Sequence, residues 1–310
     1  MKVMAVLVAL LCVSIAIGAL PILDQDQEDV RGAFLTSRPK DKPATSSTTS
    51  RPSHRRPRQG STDKNPSTEN KNPSTENKNT NSGNKNSNIG TGNSNKPTPV
   101  NAQRLGLGLT LFMRDSNGLA VRTDTSRVFQ KGDRVRVLLE TNSDGYLYIF
   151  NTANDGPPVM IYPDAALDEA GNYMQAHVPF EIPSSLAADE RLRWFAFDEA
   201  AGNERLFFVF TKEPLKGLPI EDELIALCRD SKSSCPVKPS TEVWAQVEKE
   251  SKTPLRTDTS AQNGQAQTTT EQQATDRGLG LAKDDPQPSV IMMASSKGPR
   301  LVTTLDLIHK

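Results

Sequence analysis

The residues on which chemistry would have to rest are few: three histidines, three cysteines and a set of carboxylates gathered at turns. His54 lies in an arginine-rich run, and His177 and His309 each neighbour strand-like residues. A Ser/His/Asp arrangement can be written on paper with Asp198, but no spacing supports it. Partly exposed strand histidines are the expectation. No G-x-S-x-G, H-E-x-x-H or P-loop pattern occurs. Gly106 and Gly108 form a G-x-G with no third glycine and no helix behind it, so a bulge or a close backbone approach is expected rather than a dinucleotide site. Asp144, Asp155, Asp164, Asp168, Glu169, Asp198 and Glu199 sit in segments such as NDG and PDAALDEAGN, which share the composition of calcium loops without their ligand spacing. Ordinary Asp and Asn turn chemistry accounts for them. No catalytic residue, metal ligand or cofactor is assigned.

Cys228 and Cys235 are separated by RDSKSS. They allow one disulfide closing a small loop, or two free thiols. With no histidine near them they make a poor zinc site. Cys12 falls in an apolar run that opens the chain: Lys2, then Val3 to Val13, then small residues before Pro21. This is the layout of a secretory signal peptide over residues 1–19, with an exported product as the expectation and no membrane span in its mature form.

Hydrophobic residues make up 35% of the chain, below the roughly 45–50% of globular domains, so part of it has little to bury. That part is residues 20–103. Ser, Thr, Asn, Pro and Lys dominate it, and Lys-Asn recurs at Lys64, Lys71, Lys78 and Lys85. A coiled coil also repeats every seven residues, but it needs apolar a and d positions, and Pro66 and Pro73 would break a helix. A disordered, basic tether is expected, with net charge +9 over residues 31–103 against −6 over residues 104–310. RPSHRRPRQG, from Arg51 to Gly60, would give at most weak attraction to polyanions. No aromatic residue is interleaved for stacking on bases, so nucleic acid is not an expected partner.

The elements that would position any site begin at Arg104. RLGLGLTLFMR reads as a first strand, and DRVRVLLE (133–140) and GYLYIFN (145–151) read as a hairpin across NSDG. PPVMIYP (157–163) and HVPFEIP (177–183) follow, the second held to an edge or bulge by Pro179. RLRWFAFD (191–198) and ERLFFVFTKEPL (204–215) flank AAGN as a second hairpin. Helical spacing appears at 218–230 and 240–250, residues 251–288 read as disordered, and SVIMMAS (289–295) and RLVTTLDLIHK (300–310) return as strands. The fold class is all-β: an Ig-like or similar antiparallel sandwich over 104–310, with one or two short peripheral helices in an insertion at about 219–288. Apolar residues occupy both faces of Trp194–Phe197 and Phe207–Phe210, so these strands are covered on both sides or dock a partner; the two helices are candidates for the cover.

In this order, FQKGDRVRVLLETNSDGYLYIFNT, MIYPD, VPFEIP, WFAFDEAAGNERLFFVFTKEPL and LVTTLDLIHK resemble the domain of unknown function 4384 family of bacteria. The resemblance spans roughly residues 104–219 and 289–310, and its matching positions are Gly132, Asp133, Gly145, Tyr146, Tyr148, Tyr162 and Pro163. It implies an exported accessory domain with no activity of its own. Here Gly145 is read as permitting the turn, and the tyrosines as buried rings with wet hydroxyls. The expected function is a non-catalytic binding module of the bacterial cell envelope that contacts a protein or glycan. Two alternatives stand beside it: an envelope-polymer hydrolase using loop carboxylates, and a structural component assembling through edge strands.

Overall fold

A computed structural model describes residues 29–41, 54–55, 104–167, 170–229 and 235–310. The expected signal segment and the seven-residue repeats lie outside the described residues. Among the described residues the strands form two antiparallel sheets. The first runs β10 (Leu255–Thr259), β11 (Val290–Ala294), β1 (Gly106–Arg114), β3 (Arg134–Thr141) and β7 (Phe180–Ile182), with β2 (Ala120–Arg122) on β1 and β8 (Phe195–Ala196) on β3. The second runs β12 (Arg300–His309), β9 (Gly202–Thr211), β4 (Gly145–Ala153) and β5 (Val159–Tyr162), with β6 (Tyr173–Met174) on β4. Their inner faces interdigitate: Leu107, Leu109 and Leu111 of β1 and Val135, Val137 and Leu139 of β3 meet Leu147, Ile149, Leu206, Phe208 and Leu305. This is the period-two alternation of a sandwich core.

The strands stand close to where their sequences place them, but neither expected hairpin forms. β3 and β4 are consecutive yet belong to different sheets, and so are β8 and β9. Two facts explain the first departure. Asn142 stays on β1: its Oδ1 accepts from Gly106 N at 2.7 Å and its Nδ2 donates to Arg104 O at 2.9 Å. Beyond it, β4 is apolar on both faces and gains more as the centre of the second sheet, between β9 and β5, than as the partner of β3. Residues 190–193 form a 3-10 turn rather than strand, which shortens the run to β8. Pro179 does precede an edge strand, β7, and the closing strands do return: β11 pairs with β1 and β12 with β9 along its full length.

Helices α2 (Glu221–Cys228) and α3 (Thr241–Ser251) fall where helical spacing puts them and cover the outer face of the second sheet. Trp244 of α3 meets Phe150 and Phe207 edge-on, with ring centroids 5.9 and 4.8 Å apart. The doubly apolar strand at Phe207–Phe210 is therefore packed internally. Cys228 and Cys235 are joined by a disulfide.

Two segments correct the expected boundaries. Residues 251–288 are not disordered: they carry β10 and helix α4 (Thr269–Arg277) and lie over the first sheet. The supposed tether also contributes. Helix α1 (Val30–Thr36) packs Phe34 and Leu35 on Ile291 and Met293. Gly106 and Gly108 supply the room, because a Cβ on Gly106 would stand 2.8 Å from Phe34 Cδ2 and one on Gly108 would collide with Pro288. That is the close approach expected of strand glycines. His54 is buried as well, with Nδ1 3.0 Å from Tyr173 O, and Arg55 pairs with Asp222. At Arg51–Gly60, then, His54 and Arg55 are not a solvated spacer.

Candidate functional site

The family-signature positions make turn and packing contacts. Gly132 (φ +87°) and Asp133 close a turn and clamp Phe197: Gly132 N donates to Phe197 O at 2.9 Å, and Phe197 N donates to Asp133 O at 3.1 Å. Gly145 has no left-handed φ. A Cβ there would lie 2.7 Å from Phe210 Cε2, so what it permits is close packing of β4 on β9. The Tyr148 hydroxyl is not wet: the ring is fully buried, the hydroxyl accepts from Leu215 N at 3.0 Å, and burial pushes its pKa up. Tyr146 is buried against Tyr173, and Tyr162 against Phe180 ahead of a cis peptide to Pro163.

Tyr173 donates to Asp144 Oδ2 at 3.1 Å. Desolvation first, then that hydrogen bond and the carboxylate charge, push the phenol from 10.0 up to about 12. A folded-state pKa raised in this way contributes stability that is whole below pH 10 and is lost as pH rises through about 12. Ultraviolet titration of the folded protein is expected to show a phenolate step near pH 12 that Tyr173→Phe removes. A Tyr173 step among ordinary phenols near pH 10 would contradict the assignment.

The loop carboxylates do not converge. Asp164 accepts from Ala166 N and Asp155 pairs with Arg205, while Asp144 also accepts from Ala176 N. Asp168 and Glu169 lie outside the described residues, among which no group of three His, Cys, Asp or Glu side chains is placed to hold a metal ion.

The histidines are buried rather than partly exposed. His177 sits in a turn with φ +59°, its Nδ1 2.7 Å from Glu140 Oε1 and its Nε2 2.8 Å from Ser37 Oγ. This has the order of a hydrolytic triad but not its freedom. Ser37 donates to Phe34 O at 2.6 Å, and Glu140 is held by both arms of Arg38. Arg38 spends its donors on Glu140 and on the carbonyls of Ala282, Asp285 and Pro286. The cluster fastens residues 29–41 to the first sheet.

His309 belongs to a different place. On the inner face of the second sheet the inward positions stay apolar through Ile149, Leu206 and Leu307 and then turn polar at Asn151, Glu204 and His309. These side chains line a cleft of about 230 Å³ at one end of the sandwich, opposite Phe195, Phe197 and Asp198, with Ile161 at the side. Asn151 Nδ2 donates to Glu204 Oε2 at 2.8 Å, while its buried Oδ1 has no hydrogen-bond partner among the described residues. His309 is 6% exposed, its ring tilts onto Phe197 at 5.0 Å, and its Nδ1 has no partner among the described residues either. Asp198 and His309 were sequence candidates for other reasons; Asn151 and Glu204 were missed. Their signal was the alternation itself, since a polar residue on the inward phase of a buried strand needs a partner.

The fold and this cleft define an all-β antiparallel sandwich with helical cover and an end-on pocket. Residues 128–214 match the family described as Domain of unknown function (DUF4384). The match takes in β3 to β9, while β1, β11 and β12, which complete both sheets, lie outside it. No curated protein and no solved structure matches the chain.

Proposed function

We propose that this is an exported, non-catalytic binding module of the bacterial cell envelope, with recognition in the β domain. The observation that carries the reading is the end cleft, where buried polar atoms of Asn151 and His309 stand without partners beside aromatic walls. Unpaired buried polar atoms cost about 1–3 kcal/mol each, a cost that a ligand able to bond them would relieve. Export rests on the N-terminal apolar run and accords with the Cys228–Cys235 disulfide, since such bonds persist in oxidising compartments. No helix among the described residues is long and apolar enough to cross a membrane.

The test is retention from a bacterial envelope extract on two immobilised proteins, residues 20–310 and the same chain lacking residues 61–100. Both are washed at low and then moderate salt. Retention of the same partner by both through moderate salt is expected. Retention that either protein loses when salt is raised would place attachment in the basic segment, whose Arg51–Arg58 cluster both proteins keep, and sink the proposal. So would retention by neither.

A further inference from the structure

We propose that the end cleft takes a protonated alkylamine or a guanidinium group, a ligand class that rests on the reading of the domain as a binding module. The charged side chains of its lining are carboxylates, Asp198 and Glu204, and no Lys or Arg among the described residues lines it. Of the two basic residues next to the lining in sequence, Arg205 is turned to the other face of β9, where Asp306 (2.6 Å) and Asp155 (3.3 Å) hold it, and Lys310, after His309, is exposed and does not line the cleft. Lys131 is engaged by Glu199.

The hydrogen-bonding inventory points the same way. The Asn151 amide is oriented by its donation to Glu204, and its buried carbonyl oxygen has no hydrogen-bond partner among the described residues. One oxygen of Glu204 takes that bond and one oxygen of Asp198 takes Ala200 N. The second oxygen of each carboxylate receives no hydrogen bond from the described residues. The site therefore offers acceptors and negative charge, and a ligand must bring donors and positive charge. An anion would meet two carboxylates.

The walls suit the rest of such a ligand. Partly exposed Phe195 gives a cation an aromatic neighbour and an alkyl stem apolar surface, while Phe197, stacked on Phe129 and covered by His309, forms wall only. The cleft, about 230 Å³, is larger than an ordered water needs yet smaller than the roughly 300–1,000 Å³ of sites for drug-sized molecules. One amine- or guanidinium-bearing arm is the matching size. That arm belongs either to a free small amine or to a lysine or arginine side chain on a partner.

Calorimetric titration of residues 20–310 with defined probes tests this. The cationic probes are n-butylammonium, agmatine, and blocked Gly-Lys-Gly and Gly-Arg-Gly peptides. The neutral ones are the Nε-acetyl-lysine and citrulline peptides and a chitin oligosaccharide. Saturable binding of at least one cationic probe is expected, about tenfold or more tighter than its neutral counterpart. Glu204→Gln and Asp198→Asn are each expected to weaken it by about tenfold. Asp198 is exposed, so its variant reads binding even if the half-buried Glu204 variant unfolds. Peptides binding more tightly than free amines would identify a side-chain source, and the reverse order a small-molecule source; either supports the ligand class. Neutral probes binding as tightly, insensitivity to both substitutions, or no saturation by any cation would overturn it. If envelope retention persists in that case, the binding module stands and only its ligand class is wrong; if retention is lost too, both fail.

Discussion

Arg38→Ala is expected to lower the stability of the β domain by about 3–5 kcal/mol, although residues 42–103 separate it in sequence from β1. The Arg38 side chain is fully buried and that of Glu140 is 3% exposed. The alanine leaves the Glu140 carboxylate beneath residues 282–286 with His177 as its remaining partner and strands three carbonyls that Arg38 now satisfies. Its midpoint in urea should fall with an unchanged m-value, while Lys40→Ala, at an exposed position of the same segment, should stay within about 0.5 kcal/mol of the parent. Arg38→Met combined with Glu140→Leu should recover part of the loss, because removing both charges removes the buried orphan. An Arg38→Ala midpoint equal to that of Lys40→Ala would mean that residues 29–41 do not dock. The same reasoning warns against starting the domain at residue 104: that protein lacks Arg38 and leaves the Gly106–Gly108 notch unfilled by Phe34. Long connections make such docking affordable, since each doubling of loop length adds only about 0.6 kcal/mol.

Glu271→Ala is the second large effect, also about 3–5 kcal/mol, and here the damage should be local first. One carboxylate oxygen pairs with Arg122, with both side chains 2% exposed. The other accepts from Thr268 N and Thr268 Oγ1 at 2.9 Å and completes the capping box of α4. The substitution orphans Arg122 on the outer face of the first sheet, where its guanidinium lies 5.2 Å from the Phe112 ring, and it removes the reciprocal half of the capping box while the Thr268 cap remains. Limited proteolysis should then open residues 261–288 before the sandwich unfolds. Glu271→Gln keeps an acceptor for the cap and should lose less. Equal resistance of parent and alanine variant to protease would show that α4 is held by something other than this pair.

Both predictions concern segments that composition marks as unfolded, and the reason is physical. Residues 251–288 and 29–41 are polar because much of the surface they cover is polar, the Phe34–Leu35 contact with Ile291 and Met293 apart. On the outer face of the first sheet Arg122, Arg136, Glu140 and Glu181 are all buried. Burial lowers the pKa of Arg136, with the Glu181 carboxylate opposing the shift, and its guanidinium lies over Trp194 at 4.4 Å. Gln267 donates to Glu181 and accepts from Arg136 at 3.2 Å. Alternation of charge with valine in DRVRVLLE reads as a strand with one wet face, yet that face is dry and paired. Nothing local distinguishes a charge bound for water from one bound for a partner more than a hundred residues away.

What the chain's sequence determined by itself was everything governed by short-range spacing. Period-two alternation located nine of the twelve strands among the described residues, missing β2, β6 and β10; helical spacing located α2 and α3 but not α4, and proline marked the edge at β7. The aromatic runs called for cover on both sides or a docked partner, and the family resemblance agrees with the match over residues 128–214. Tertiary structure decided which strand meets which. An Asp-Gly turn favours a hairpin by about the energy of one turn, whereas the doubly apolar β4 gains more by sitting between β9 and β5. It also decided that Arg38 closes over Glu140, that Glu271 meets Arg122, and that Asn151, Glu204 and His309 end three separate strands at one cleft. Those meetings depend on sheet order and register, and these are set by burial summed over the whole core rather than by any neighbouring residue.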